Sequence, residues 1–220
     1  MIAIIDYGLC NLLSIKRAVS MFEKDCIITK EVHDLQAADK IILPGVGAFA
    51  QGMHKLNLLQ LDREIVAQAR KGKAILGICL GMQMLFDSSE EGGKTVGLGL
   101  IKGKVNSIPQ YDTNGLRQNV PHIGWEQLNV RTDAEYDKEI LNGLGEKPEV
   151  YFVHSYEAQV ENERNLVATV SYGGREIAAI VKNDNVIGCQ FHPEKSGEKG
   201  LHIIHCLLYT SPSPRDGLLS

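Results

Sequence analysis

A cysteine between two glycines is the first feature of this chain that could do chemistry. Cys79 lies in Gly77-Ile78-Cys79-Leu80-Gly81, after the apolar residues Ala74–Leu76 and before a second apolar segment that reaches Phe86. Glycines two residues to either side permit a sharp strand-to-helix turn, and a helix N-terminus favours the thiolate form of cysteine. The pattern fits a nucleophile raised above a sheet, as in Gly-x-Ser-x-Gly hydrolases. It fits equally a small buried hydrophobic side chain in a core strand.

A histidine that could serve as the base lies in Cys189-Gln190-Phe191-His192-Pro193-Glu194. Pro193 favours extended backbone at His192, and side chains two apart in an extended chain point the same way, so His192 and Glu194 can face one pocket. A carboxylate beside an imidazole fixes its tautomer and stabilises the imidazolium. The alternative is a surface pair flanking a turn. Together, the two motifs predict a triad of Cys79, His192 and Glu194.

Donors for an oxyanion could come from the segment Pro44-Gly45-Val46-Gly47. Its two glycines expose backbone N–H groups at the end of a predicted strand. With the N–H of Leu80, which follows the nucleophile, the N–H groups of Gly45, Val46 and Gly47 could hold the oxyanion of a tetrahedral intermediate. The alternative is an ordinary strand-to-helix turn.

The elements that must position these residues alternate between strand and helix in the first part of the chain. Short apolar runs predict strands, and apolar residues at helical spacing predict helices. The predicted strands are Ile2–Ile5, Cys26–Thr29, Lys40–Leu43 and the run that ends at Cys79, and the predicted helices run from Asn11 to Phe22 and from Leu56 to Arg70. This alternation predicts an α/β fold with a doubly wound, mostly parallel sheet, whose ligands bind at the C-terminal ends of the strands.

The second part of the chain, after Asp87, has a different sequence pattern. Glycines punctuate a looped region after Asp87, and strand-like runs then follow one another closely, which predicts antiparallel additions to the sheet. These runs are Ile123–Val130, Val150–Tyr156, Leu166–Tyr172, Glu176–Val181 and Val186–Phe191. A closing helix is predicted from Ser196 to Leu208. The sequence predicts one domain over residues 1–208, and residues 209–220, rich in proline and serine, are predicted to be a non-native or disordered tail.

Composition excludes several function classes. The chain is 44% hydrophobic and 23% charged, as in ordinary globular proteins, and a net charge of -4 gives no electrostatic footprint for nucleic acid or an anionic membrane. The opening apolar run is too short for a signal-peptide core, and no segment reaches transmembrane length. Five cysteines without Cys-x-x-Cys spacing argue against a disulfide framework or a zinc site and favour the cytoplasm. His202 and His205 could suggest a metal pair but lack a third ligand, so no metal or cofactor is expected.

Several segments together resemble one enzyme family. The turn around Cys79 and the segment His192-Pro193-Glu194 resemble the nucleophile and the His-Glu pair of class I, triad-type glutamine amidotransferases. Further segments resemble, more narrowly, the glutaminase subunit of imidazole glycerol phosphate synthase. They are Asp6-Tyr7-Gly8 with Asn11-Leu12, Leu43-Pro44-Gly45-Val46-Gly47-Ala48-Phe49, Pro121-His122-Ile123-Gly124-Trp125, Tyr151-Phe152-Val153-His154-Ser155-Tyr156 and Phe191-His192-Pro193-Glu194-Lys195-Ser196. The resemblance covers about residues 1–208 and implies a flavodoxin-like sheet with added antiparallel strands.

The resemblance also implies residue roles. Cys79 attacks the side-chain amide of glutamine, His192 activates the thiol and protonates the leaving ammonia, and Glu194 orients His192; water then cleaves the glutamyl thioester. Positions that hold the substrate match Gln83, Ser155 and Tyr156. Positions at the interface with a partner match Asn11, Trp125, Tyr151 and Lys195. Trp125 is the only tryptophan, and simple core packing is its alternative. The family usually carries glycine where this chain has Cys10, which puts a side chain in the partner-facing loop.

A glutaminase that makes ammonia for synthesis needs an acceptor site next to its own, because ammonia in bulk water at neutral pH is protonated and loses its nucleophilicity. The chain has no Gly-x-x-x-x-Gly-Lys loop, and its 220 residues leave no room for a synthase domain. The acceptor reaction is therefore expected on another chain. The resemblance implies a (β/α)8-barrel cyclase subunit of histidine biosynthesis. That protein uses the ammonia on a phosphoribulosyl-formimino carboxamide nucleotide and forms imidazole glycerol phosphate and an aminoimidazole carboxamide ribotide.

Three other functions stay open at this point. The chain could be the glutaminase subunit of another synthase, for example one of anthranilate or pyridoxal phosphate synthesis. It could be a catalytically silent binding module, although the intact triad argues against this. It could also be a cysteine peptidase on a related fold.

Overall fold

A mixed β-sheet lies at the centre of the protein, as seen in a computed structural model that describes residues 1–131 and 147–209 (at position 207 the backbone alone). Its first strand, β1 (Ile2–Ile5), is buried along its whole length. Ile2 and Ile4 belong to one hydrophobic core, and Ala3 and Ile5 belong to a second core on the opposite face. A strand whose alternate side chains are apolar on both faces must be covered on both sides, which explains its unalternating sequence.

The strand order confirms the predicted fold class. In the described residues the main sheet has eight strands, in the spatial order β2 (Cys26–Thr29), β1, β3 (Lys40–Gly45), β4 (Ala74–Cys79), β14 (Val186–Cys189), β13 (Arg175–Asn183), β12 (Leu166–Tyr172) and β9 (Asn129–Val130). The strands from β2 to β14 are parallel, and those from β14 to β9 are antiparallel. The parallel part has the flavodoxin-like order, and the antiparallel strands are the additions expected from the second half of the chain.

Helices cover both faces of the parallel strands. They are α1 (Leu12–Ser20), α2 (Val32–Ala37), α3 (Phe49–Leu58), α4 (Leu61–Arg70), α5 (Leu80–Met84) and α6 (Gly197–Tyr209). α1 and α6 contribute to one core, and α2 to α5 contribute to the other. The single helix predicted from Leu56 to Arg70 is wrong, because Gln60 has a φ of 59° and separates α3 from α4. Helix α2 was not predicted from the sequence.

Two smaller sheets lie beside the main one. One pairs β8 (His122–Gln127) with β10 (Glu149–His154), and the other has the order β11 (Tyr156–Val160), β7 (Ile101–Ser107), β5 (Phe86–Ser89) and β6 (Thr95–Val96). Two predicted strands are therefore divided between sheets, with breaks at Leu128 and Ser155. The region predicted as looped after Asp87 contains β7, and Phe86 begins a strand instead of continuing the helix after Cys79.

The end of the described chain is helical. α6 closely matches the predicted helix from Ser196 to Leu208 and includes Tyr209, whose hydroxyl donates to the carboxylate of Glu23. Residues 210–220, most of the predicted tail, lie outside the described residues. No helix within residues 1–131 and 147–209 is long and apolar enough to cross a membrane.

Candidate active site

Cys79 lies at the turn from β4 into α5, with φ 53° and ψ −111°. The positive φ falls on the cysteine itself, and the flanking glycines serve a different purpose, which is close packing. A Cβ on Gly81 would lie 1.7 Å from the carbonyl oxygen of Leu43, and one on Gly77 would lie 2.8 Å from the backbone of Met82. The two glycines therefore let neighbouring backbone enclose a turn that presents the thiol at the C-terminal edge of the sheet.

The His192 imidazole and the Glu194 carboxylate form a buried pair. Nδ1 of His192 lies 2.9 Å from Oε1 of Glu194, and the Glu194 side chain is 1% exposed. His192 has extended backbone as predicted, but Glu194 reaches it from the 3₁₀ turn Pro193–Lys195 that follows, so the predicted partners meet through a different local geometry. The carboxylate at Nδ1 leaves Nε2 as the nitrogen that can exchange a proton with the thiol.

The electrostatics of the site favour a charged imidazole. Burial lowers the pKa of His192, but the Cys79 thiolate and the Glu194 carboxylate outweigh burial and raise that pKa to about 10. Among the described residues, Nε2 of His192 and Oε2 of Glu194 have no hydrogen-bond partner of good geometry. A charged imidazole whose Nε2 has no other partner can give its proton to a leaving group.

A cavity of about 360 Å³ opens over the thiol. Cys79 and His192 lie in its wall, and Glu194 lies behind His192. The residues predicted to bind substrate that also line this cavity are Val46, Gly47, Leu80, Gln83, Ser155 and Tyr156. Gly45 is buried beneath it, where a Cβ would lie 2.2 Å from the Tyr7 hydroxyl. The structure thus brings the triad and most of the predicted substrate residues into one place.

The predicted oxyanion donor at Val46 points elsewhere. Its backbone N–H donates to the carbonyl oxygen of Leu9 at 2.8 Å. The carbonyl of Pro44 accepts hydrogen bonds from the Tyr7 hydroxyl at 2.8 Å and from the Cys10 thiol at 3.4 Å. The loop between β1 and α1 therefore holds this segment, and Cys10, the departure from the family pattern, adds one of the bonds. In this structure the Val46 N–H is engaged by Leu9 and not by the cavity.

Gln190, which contacts the Cys79 sulfur, was not predicted from the sequence. Its Nε2 lies 3.7 Å from the sulfur of Cys79, and its Oε1 accepts from Nε2 of Gln83 at 3.0 Å. A signal was present, since Gln190 precedes His192 by two residues in an extended segment and so shares its side of the chain.

Two other cavity residues were also missed. Glu91 lies at the rim, where its carboxylate accepts the N–H of Phe49 and supplies a negative charge suited to an ammonium group. His154 lies in the wall, with Nδ1 2.9 Å from the carbonyl oxygen of Tyr156 and Nε2 3.0 Å from Nδ1 of His122. No spacing rule pairs these residues with Cys79, because His154 lies in β10 of another sheet and Glu91 lies in the turn after β5.

The residues predicted at a partner interface are all exposed or partly exposed. Trp125 is 55% exposed, which excludes simple core packing, and its ring centroid lies 6.0 Å from that of Tyr151. Asn11 and Lys195 are exposed, and Lys195 also lines the cavity.

The two histidines considered as a metal pair belong to α6. The ring of His205 packs edge-on against Phe22 and stacks on Tyr209. Within the described ranges, no group of three or more His, Cys, Asp or Glu side chains could hold a metal ion.

A thiol–imidazole–carboxylate triad at the carboxyl ends of a doubly wound sheet defines a class of hydrolase that works through a thioester. Comparison with known proteins identifies the family within this class. The family model described as "Glutamine amidotransferase class-I" matches residues 3–207. The structure of PurLQS from Thermotoga maritima shares the fold, with a TM-score of 0.66 and 22% identity over 94% of this chain and 96% of that chain.

Two curated relatives match almost end to end. Imidazole glycerol phosphate synthase subunit HisH 1 of Legionella pneumophila (strain Lens) is 44% identical over 94% of this chain and 98% of its own length. Subunit HisH of Oceanobacillus iheyensis is 45% identical over 93% of this chain and 96% of its own length. The chain belongs to the class-I glutamine amidotransferase family, in the group of the HisH subunits.

Proposed function

We infer that this chain is the glutaminase subunit of an imidazole glycerol phosphate synthase. It hydrolyses glutamine to glutamate and ammonia and supplies the ammonia to a cyclase subunit in histidine biosynthesis. The observation that carries this inference is the 44% identity to a HisH subunit over 94% of the chain. The buried pair of His192 and Glu194 beside Cys79 supplies the chemistry that the inference requires.

The first half of the reaction forms a thioester. The Cys79 thiolate attacks the side-chain amide carbon of glutamine, and the oxyanion is stabilised by backbone N–H groups, of which that of Leu80 lies next to the nucleophile. The His192 imidazolium donates the proton on Nε2 to the amide nitrogen, the C–N bond breaks and ammonia leaves. Glu194, at 2.9 Å from Nδ1, holds the ring and stabilises its charge.

The second half returns the enzyme to its starting state. Neutral His192 takes a proton from water at Nε2, and the resulting hydroxide equivalent attacks the thioester carbon. The C–S bond then breaks, glutamate leaves and the sulfur departs as the thiolate, paired again with the imidazolium. The cycle consumes one water and needs no cofactor.

The hydrogen bond between Val46 and Leu9 suggests why a partner matters. A substrate oxyanion can use the Val46 N–H only after this 2.8 Å bond breaks. Asn11, one of the predicted interface residues, lies two positions after Leu9. A partner that contacts this loop can therefore change the donor geometry, which supports activation by the synthase.

The partner is proposed to be a (β/α)8-barrel cyclase that docks over the cavity against Asn11, Trp125, Tyr151 and Lys195. Exposure of Trp125 at 55% supports this surface. Ammonia then passes from the cavity to the acceptor nucleotide without reaching bulk water, and we place both proteins in the cytoplasm.

The test is ammonia production from glutamine by the chain alone and with the cyclase and its nucleotide ligand. We expect Cys79→Ala to abolish production, because it removes the nucleophile, and to leave binding to the cyclase unchanged. Cys26→Ala, at a buried thiol on the edge strand β2, is the matched control and should keep both. Persistent turnover by Cys79→Ala would remove Cys79 from the mechanism, and failure of the wild-type chain to bind or feed the cyclase would contradict the proposed partner.

A further inference from the structure

A chain of buried amides ends on the catalytic sulfur. Nε2 of Gln83 lies 3.2 Å from the carbonyl oxygen of Tyr156 and 3.0 Å from Oε1 of Gln190, and Nε2 of Gln190 lies 3.7 Å from the sulfur of Cys79. Gln190 is fully buried and Gln83 is nearly so. A glutamine amide removed from water at this position must be fully committed to its neighbours.

The backbone carbonyl of Tyr156 determines which way the two amide groups are oriented. The backbone carbonyl of Tyr156 can only accept, so the amide group of Gln83 must present its NH₂ to it. The same NH₂ faces Gln190, which must therefore present its oxygen. The NH₂ of Gln190 is left facing the sulfur, and the amide cannot turn around without placing two donors or two acceptors against each other.

We propose that Gln190 stabilises the thiolate of Cys79 in both halves of the glutaminase reaction, an inference that rests on the proposed function. When the thiol proton moves from sulfur to Nε2 of His192, negative charge develops on an atom that already faces an N–H donor. In the second half the same donor stabilises the sulfur as the C–S bond of the thioester breaks. Hydrogen bonds to a charged acceptor are stronger than those to a neutral one, so the donor favours the thiolate over both thiol and thioester.

The other groups that act on Cys79 come from three elements and remain in a Gln190 variant. His192 and Glu194, which follow β14, supply the opposite charge and its support. Cys189 in β14 and Tyr7 after β1 are close enough to interact electrostatically with the Cys79 thiolate. Burial raises the pKa of each, so both stay neutral near neutral pH. A nonpolar substitution keeps these groups; it removes the Gln190 donor to the sulfur and the Gln190 acceptor to Gln83.

The experiment is iodoacetamide alkylation of Cys79 as a function of pH, measured by mass spectrometry of its peptide, on the chain alone and in its complex with the cyclase. Gln190→Met removes the donor at similar volume, and Gln190→Leu removes it with a different shape. We expect both variants to raise the midpoint of alkylation by about one pH unit and to lower kcat/KM for glutamine about tenfold, equivalent to about 1.4 kcal/mol. Cyclase binding, which reports the fold, should be unchanged.

Gln68→Met is the matched control, because Gln68 is also a buried glutamine but donates to Glu64 on α4, away from the cavity. It should leave the midpoint and kcat/KM at the wild-type values. Wild-type midpoints in both Gln190 variants, or a shift in only one of them, would overturn the proposal, since the second result indicates packing. Such a failure is distinct from failure of the proposed function, which would appear as absent glutamine hydrolysis in the wild-type complex.

Discussion

The backbone strain in the turn from β4 to α5 is concentrated in Cys79. Cys79 has a φ of 53°, a conformation that costs a residue with a side chain about 1–3 kcal/mol and persists only when its surroundings enforce it. The backbone around Gly81 and Gly77 is packed so closely that it provides this enforcement. The sequence marks both glycines, but it does not say that the unfavourable torsion falls on the cysteine, because this depends on how β3 and α5 pack.

The proposal that Glu194 stabilises the charged imidazole of His192 can be tested through the pH dependence of the free energy of unfolding. Because the pKa of His192 is raised to about 10 in the folded chain, from about 6.5 in an unfolded one, its contribution to stability is fully present below pH 6.5 and is lost as pH rises through 10. Glu194→Gln removes a main cause of the shift. We expect the stability deficit of this variant, measured by urea unfolding, to be largest near pH 6 and to shrink towards pH 10, and we expect kcat to fall by about a hundredfold or more.

The control for this prediction is Glu163→Gln, since the Glu163 side chain is 72% exposed and pairs with Arg131 at the surface. Its effect on stability should be about 0.5 kcal/mol or less. A deficit of Glu194→Gln that stays constant from pH 6 to pH 10 would show that the carboxylate does not support a charged imidazole.

At the scale of elements, the local sequence pattern predicted the strands and turns whose formation depends on neighbouring residues. Strands β1 to β4 were predicted because they are short apolar runs. The Cys79 and His192 motifs were expected to meet because Cys79 ends one such run and His192 follows another, and the structure brings them to one cavity. The division of Val150–Tyr156 between two sheets was not predictable, since strand pairing depends on partners far along the chain. The hydrogen bond from Val46 to Leu9 and the position of Glu91 were not predictable for the same reason. Gln190 was predictable, because residues two apart in an extended segment face the same side, the rule that was applied to His192.

The small sheet of β8 and β10 carries a histidine pair with a defined proton arrangement. Nδ1 of His154 faces the carbonyl oxygen of Tyr156 and must carry the proton, so its Nε2 accepts from Nδ1 of His122. Both rings are buried, and His122 stacks on Tyr172. A proton added to His154 would have to break this arrangement.

Acid should therefore destabilise the chain through His154. Burial lowers its pKa to about 4, so between pH 6.5 and 4 the unfolded chain binds more protons at this position than the folded chain does, and stability falls as pH falls. We expect His154→Gln to reduce this acid-induced loss by about 2 kcal/mol, measured by urea unfolding at pH 7, 5 and 4. His54→Gln, at an exposed histidine of α3, should leave the loss unchanged. An equal loss in wild type and His154→Gln would contradict a buried neutral imidazole.

At the scale of the whole molecule, large apolar side chains are exposed at the cavity and on β8. Val46, which lines the cavity, and Ile123 and Trp125 on β8 are all substantially exposed, and a partner that covers them would bury the kind of side chains that dominate binding energy. The −4 net charge does not attract an anionic partner, so we expect burial of apolar and aromatic surface to contribute much of the affinity.

Trp125 should be a main contributor to that affinity. We expect Trp125→Ala to weaken binding to the cyclase at least tenfold, about 1.4 kcal/mol or more, when measured by calorimetry, with little change in thermal stability because the side chain is exposed. Leu58→Ala, at a 68% exposed leucine on α3, is the control and should bind normally. Equal affinity of the two variants would place the partner on another face.

Tyr151 contacts both the exposed Trp125 and the backbone of His192. Its ring lies beside Trp125, its carbonyl accepts the backbone N–H of His192 at 3.0 Å, and its N–H donates to Ser196 Oγ, which in turn donates to the carbonyl of His192. A substitution that moves this strand is therefore expected to move the His192 backbone as well. Under the proposed function, a design that redirects the ammonia to another acceptor enzyme should transfer β8, β10 and the segment after β14 as one unit.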